Sequence, residues 1–142
     1  MTAPAASTSV ELRVRYGEAD RMGFAYHAHY LDWCDIGRTE HLRRHGVRYR
    51  DLEDRGFLLA VAEVSLRYLK PARYDDLARI TSWVTDVGSR RVTFEYRIER
   101  ADDGALLATA MTALVSISPS GRPTRLPDDM LSLLRGVVVR DS

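Results

Sequence analysis

A chain of 142 residues with 21 basic and 20 acidic side chains carries a formal net charge of only +1. At that length one core can bury roughly two-thirds of the unfolded surface without help from disulfides or a structural metal. Near-neutrality with interspersed charges gives no overall field to hold a polyanion, so nucleic acid is not expected as a partner.

Cys34 stands alone, which excludes a disulfide within the chain. The longest aliphatic run, Leu58 to Ala62 with Phe57 before it, falls far short of the ~18 residues needed to span a bilayer. No basic start followed by an apolar block marks a secretory leader, and a reducing, cytoplasmic setting is expected. Residues 1–9 are mostly Ala, Ser and Thr and can bury almost nothing, so they read as a disordered tail before a single domain over residues 10–142.

From Val10 to Tyr16 apolar residues alternate with Glu11, Arg13 and Arg15, the period of a half-buried strand closed by Gly17. Tyr30 to His45 predicts the one long helix. Leu31, Cys34, Arg38 and Leu42 fall on one helical line, Tyr30, Trp33, Gly37 and His41 on the next, and Gly46 is the stop. This mixture of apolar and small residues suits a helix largely wrapped by other structure.

After a short polar stretch come four strand-like segments: Phe57–Leu69, Leu77–Val87, Val92–Glu99 and Leu106–Ser118. Pro71 closes the first, Gly88-Ser89 turns the second into the third, and Asp103-Gly104 is a hairpin signal between the third and fourth. Val92, Phe94, Tyr96 and Ile98 alternate with polar residues, while Ala108, Ala110 and Ala113 suit a sheet curving closely around a helix. Pro127, then Asp128 and Asp129, open a short terminal helix carrying Met130, Leu131, Leu133 and Leu134. The order implies an α+β domain with a curved antiparallel sheet of five strands around one central helix.

The chemistry concentrates in residues 17–29, a thirteen-residue connection between the first strand and the long helix. Asp20 is either a general base or nucleophile, being ionised at neutral pH, or a turn and capping residue. Ala25 to Tyr30 offers none of the usual N-cap side chains, so the first helical amides are left either for water or for a developing oxyanion. Two other patterns are weaker. His41 and His45 share a helical face, but no Glu follows His41 as a zinc hydrolase helix requires, and no metal is implied. The pairs Arg43-Arg44 and Arg90-Arg91 are ordinarily solvated surface. Arginine makes up 20 of the 21 basic residues, Lys70 being the exception, which reflects either compositional bias or bidentate phosphate binding.

The stretch RYGEADRMGFAYHAHYLDWCDIGRTEHLR resembles the signature of hotdog-fold acyl-CoA thioesterases of the 4-hydroxybenzoyl-CoA thioesterase type, especially the branch associated with the Tol-Pal system. The matching residues are Tyr16, Glu18, Asp20, Gly23, Tyr26, His27, Tyr30 and Arg38-Thr39-Glu40. YLKPARYDDL (68–77) resembles a second family turn, and with RPTRLP (122–127) the likeness runs through nearly all of the chain from Val10. Three positions depart from the pattern: Ala19 replaces a common Thr, His29 an Asn or Ser, and Asp35 a Glu.

The resemblance implies a thioester hydrolase without a cofactor, acting on a short-chain, medium-chain or aromatic acyl-CoA. It makes Asp20 the base or nucleophile, the helix start around His27 the oxyanion site, His27 itself a catalytic side chain and Tyr16 its neighbour. Gly23 and Tyr26 would line the substrate site, and Arg90 and Arg91 would meet the nucleotide phosphates. A homodimer or homotetramer with the site between subunits is implied too. A non-catalytic acyl-CoA or acyl-carrier binding module and a hydratase on the same fold are the alternatives.

Overall fold

In the computed structural model, which describes residues 4 and 6–139, the first alternating segment is strand β1 (Thr8–Arg13). Thr8 and Ser9, expected in the tail, are therefore already in the sheet. The reason is local: Thr8 is buried with its Oγ1 2.8 Å from His41 Nδ1, and Ser9 Oγ lies 2.9 Å from Thr81 Oγ1. Residues 1–3 and 5 of the expected tail lie outside the described residues.

Helix α1 (His29–Arg44) is followed by a short helix α2 (Tyr49–Asp54). Sequence patterning had placed only a polar stretch there. Six residues are too few to show an amphipathic period, and Leu52 is the one that this helix buries. Strands β2 (Leu58–Tyr68), β3 (Leu77–Val87), β4 (Arg91–Arg100) and β5 (Leu106–Ile117) follow, then helix α3 (Asp128–Gly136). Each lies within a residue or so of its predicted span. The five strands form one antiparallel sheet in the order β1-β3-β4-β5-β2.

Helix α1 crosses the β1, β3 and β4 part of the sheet. The line Tyr30, Trp33, Gly37 and His41 is buried, as are Cys34 and Leu42. The wrapping is one-sided, however: Leu31 and Ile36 are 38% and 44% exposed. The sheet lies under the helix and leaves its outer face uncovered. Beneath it, Val92, Phe94, Tyr96 and Ile98 of β4 and Ala108, Ala110 and Ala113 of β5 are buried with the helix residues.

Gly37 marks the closest approach of helix and sheet. A Cβ there would lie 2.5 Å from Ser82 Oγ and 2.8 Å from Ile80 Cγ2. Gly37→Ala is therefore expected to destabilise by about 1–3 kcal/mol through overpacking, although alanine is the better helix former by about 1 kcal/mol. A urea midpoint equal to or above that of the wild type would contradict this contact.

His41 is fully buried, and the Nε2 atoms of His41 and His45 are both buried without a protein partner. Their rings stand edge-on at 4.6 Å. Among the described residues no third His, Cys, Asp or Glu joins them. Burial, then the neighbouring His45 and Arg44, push His41 down to about 4. A lowered histidine pKa means that the unfolded chain binds the extra proton first. The stability from neutral His41 is thus complete above about pH 6.5 and drains away as pH falls toward 4. We expect His41 to make the protein about 2 kcal/mol less stable at pH 5 than at pH 7.5. His41→Phe should flatten that part of the profile in denaturant titrations, and an unchanged slope would contradict the assignment.

Candidate active site

Loop residues 14–28 are tied to the turn after β2 at several points. Val14 N donates to Asp76 O at 2.8 Å, Asp75 N to Val14 O at 2.9 Å, and Ala25 N to Ala72 O at 2.7 Å. Under the loop lies Glu18, only 5% exposed. Its carboxylate accepts the Arg15 amide at 2.8 Å and the Trp33 indole at 3.1 Å, with Arg15 Nε 3.4 Å away. Burial alone would raise this carboxyl's pKa; the Arg15 amide, the Trp33 indole and the Arg15 guanidinium outweigh it and hold Glu18 below the ordinary range. Glu18 thus serves as a charged anchor, a role that its place in the motif did not disclose.

Asp20 heads a tight turn. Its amide donates to Phe24 O at 2.8 Å, and Gly23 N donates to Asp20 O at 3.0 Å. Gly23 has φ +81°, a left-handed conformation that glycine adopts without cost. Asp20 Oδ1 accepts the Met22 amide at 2.9 Å and the Phe24 amide at 3.2 Å. The two sequence readings of Asp20 therefore meet in one residue: Oδ1 does the work of a turn residue, and Oδ2 has no protein donor among the described residues.

The helix start is uncapped. Ala28 occupies the N-cap with no side-chain hydrogen bond. The amides of His29, Tyr30 and Leu31 donate back to the carbonyls of Tyr26, His27 and Ala28. Those of His27 and Ala28 have no acceptor among the described residues, so two donors at the positive end of α1 stay available.

Asp20, His27 and Tyr30 line one cleft of about 400 Å³ with Phe24, Ala25 and the segment Tyr68-Leu69-Lys70-Pro71. Across Asp20 a second hollow of about 580 Å³ is lined by Tyr16, Ala19, Arg21, Gly23 and Tyr74. A carboxylate with one free oxygen thus sits between two hollows and shares one of them with His27 at the helix start. This arrangement can position a carbonyl against amide donors and a nucleophile against its carbon.

The expected residues are only partly brought together. Asp20, Gly23, Tyr26 and His27 gather on the loop, but Tyr16 is not beside His27. Its ring is 80% exposed and stands edge-on to Tyr74 at 5.5 Å in the second hollow. The aromatic neighbours of His27 are Tyr26 at 4.3 Å and Tyr68 at 6.4 Å. The short helical turn Tyr16–Glu18, fixed by the buried Glu18, is what carries Tyr16 away.

Arg90 and Arg91 lie at the far end of the sheet. Arg91 pairs with Glu63 at 2.8 Å and lies opposite Val115, seven residues along β5 from Ala108, the partner of the cleft residue Tyr68, a separation of roughly 20 Å. Within one chain they do not reach Asp20. His29 turns to Asp32, with Nδ1 3.0 Å from Oδ2, and does not line the cleft. Cys34 is buried and its thiol is pushed up to about 12 by burial, so it stays a protonated, unreactive core residue.

Sequence reasoning did not place Tyr68 or Lys70 at the cleft. The only available signal was the 68–77 motif, which stands next to Asp20 in space although some fifty residues away in the chain.

Residues 14–134 match the Thioesterase-like superfamily. The Bacillus subtilis protein YneP is 38% identical over 88 residues, which cover 62% of this chain and 64% of that protein. The chain thus spans somewhat under two-thirds of that relative's length. The Escherichia coli acyl-CoA thioester hydrolase YbgC is 30% identical over 85% of this chain and 90% of its own. A solved DHNA-CoA thioesterase from Staphylococcus aureus superposes with a TM-score of 0.85 at 27% identity, covering 96% of this chain and 99% of that one.

Proposed function

This chain belongs to the Thioesterase-like superfamily, with its hotdog fold, and from that premise we propose that it is an acyl-CoA thioesterase with its active site at the Asp20 cleft. The observation that carries the reading is the sharing of one cleft by Asp20, whose Oδ2 is free, and the uncapped start of α1. The thioester carbonyl oxygen points at the free amides of His27 and Ala28, and its carbon faces Asp20. As base, Asp20 takes a proton from water; hydroxide adds to the carbon, the tetrahedral oxyanion is held by the amides, and the thiolate leaves with the proton. As nucleophile, Asp20 adds directly and water cleaves the mixed anhydride. Either route consumes one water and yields one acid and one thiol. The resemblance makes the His27 ring a second catalytic group, with Gly23 and Tyr26 shaping the site.

The finer placement, in the 4-hydroxybenzoyl-CoA thioesterase type and its Tol-Pal-associated branch, rests on the pattern Tyr16, Glu18, Asp20, Gly23, Tyr26, His27. Among the described residues no helix is long and apolar enough to cross a membrane; the cytoplasmic setting is a proposal that rests on the sequence pattern alone.

We read the active unit as a homodimer paired through β2, itself able to pair again into a tetramer. Strand β2 is an edge of the sheet, and its Val61 and Val64 are 48% and 45% exposed. A long apolar edge of this kind invites pairing. Antiparallel pairing about a two-fold axis brings the Leu58 end of one β2 toward the Tyr68 end of the other. Arg91 lies opposite Val115, which in turn lies opposite Ala60 near that Leu58 end. A second copy could thus present its Arg90–Arg91 turn on the side of the first copy's cleft, where the coenzyme A phosphates would lie.

A series of short, medium and aromatic acyl-CoA esters, followed by detection of free thiol, tests the function. Catalytic thiol release with the matching free acid is expected. Binding without release would make the protein a binding module, and a hydrated thioester with coenzyme A still attached would make it a hydratase.

A further inference from the structure

Tyr68 is the last residue of β2, and its hydroxyl donates to the carbonyl oxygen of His27 at 2.8 Å. That carbonyl and the Ala28 N–H belong to the same peptide plane, at the point where α1 starts without a cap. A hydrogen bond received by a carbonyl draws electron density from the amide nitrogen and makes its N–H a stronger donor. The bond also fixes the orientation of the turn. Tyr68 is paired opposite Ala108 in the sheet, so the start of α1 is tied to a strand instead of a loop.

The ring is held as well as the hydroxyl. Tyr68 stands edge-on to Tyr30 at 5.0 Å and to His27 at 6.4 Å, and Tyr30 is itself anchored by the Ala72 amide, which donates to its hydroxyl at 3.1 Å. Burial, then the neighbouring Tyr30 and Cys34, raise the Tyr68 phenol above its ordinary value. It therefore remains a protonated donor at every pH at which the protein would work.

The geometry points to Tyr68 as a positioning residue for the hydrolysis proposed above: it orients and polarises the His27–Ala28 peptide and so strengthens the oxyanion donor at the start of α1. The inference rests on that functional reading. A tyrosine serving only as a wall of the acyl site would act on binding, whereas one acting through the peptide acts on the transition state.

The test is Tyr68→Phe, which keeps the ring and removes the hydroxyl. We expect kcat to fall about tenfold with KM within about twofold, because one donor is weakened and none is lost. The pH–rate profile should keep its shape, and the Ala28 amide nitrogen resonance should move upfield while that of Leu31 stays in place. Unchanged kcat, a rise in KM alone, or an unmoved Ala28 resonance would overturn the role. Asp20→Asn in the same assay separates the two levels: wild-type turnover by that variant would sink the hydrolytic reading, while the Ala28 resonance still decides whether Tyr68 polarises the peptide.

Discussion

Asp20→Asn is expected to reduce kcat/KM for acyl-CoA hydrolysis by about 10² to 10⁴ while leaving the fold intact. The two effects separate because the carboxylate has two distinct oxygens. Oδ1 accepts the amides of Met22 and Phe24, and an asparagine carbonyl can accept both. The turn should therefore survive, and the thermal midpoint should stay close to that of the wild type. Oδ2 has no protein donor to replace, and what the variant loses there is the negative charge facing the cleft. A neutral amide cannot take a proton from water or form an anhydride. Full activity in the variant would mean that the cleft is not where the thioester is cleaved.

The second large effect is expected at the β2 edge. Replacing both Val61 and Val64 with lysine puts like charges along a strand that is now apolar and nearly half exposed. Lysine is also a residue that natural sheet edges use against pairing. If two copies join there, dimer dissociation should strengthen by at least about 100-fold in Kd, which corresponds to roughly 3 kcal/mol. Sedimentation would show monomers with an unchanged circular dichroism spectrum. Activity should fall with the loss of the dimer, because each cleft would lose the neighbouring copy that completes it. A variant that remains dimeric, or a monomer with wild-type activity, would contradict a site shared between subunits.

How far the sequence could be read depended on the range of the interactions. Alternation along β4 and the Asp103-Gly104 and Gly88-Ser89 turns are local signals, and β2 to β5 came out within a residue or so of their predicted ends, whereas β1 starts two residues earlier and ends three residues sooner than its alternation implied. Thr8 joined the sheet because of His41, thirty-three residues away, a contact with no trace in local composition. Helix α2 was too short for periodicity to disclose it. At the site, the motif brought forward Asp20 and His27, which do share a cleft. It could not show that the buried Glu18 would hold the turn that carries Tyr16 to the other side of Asp20, against Tyr74. Nor could it show that β3 and β4, each ten or eleven residues long, would keep Arg90 and Arg91 at the far end of the sheet. Tyr68 escaped for the same reason, since only the folded sheet brings its hydroxyl to the His27 carbonyl.

The most direct measurement is a crystal structure of Asp20→Asn with a bound, unhydrolysed acyl-CoA. The thioester carbonyl oxygen should lie about 2.7–3.1 Å from the amide of His27 or Ala28, with the thioester carbon facing residue 20 and the nucleotide crossing toward a second copy. An acyl group lodged elsewhere, with the start of α1 facing only water, would contradict the assignment of this cleft.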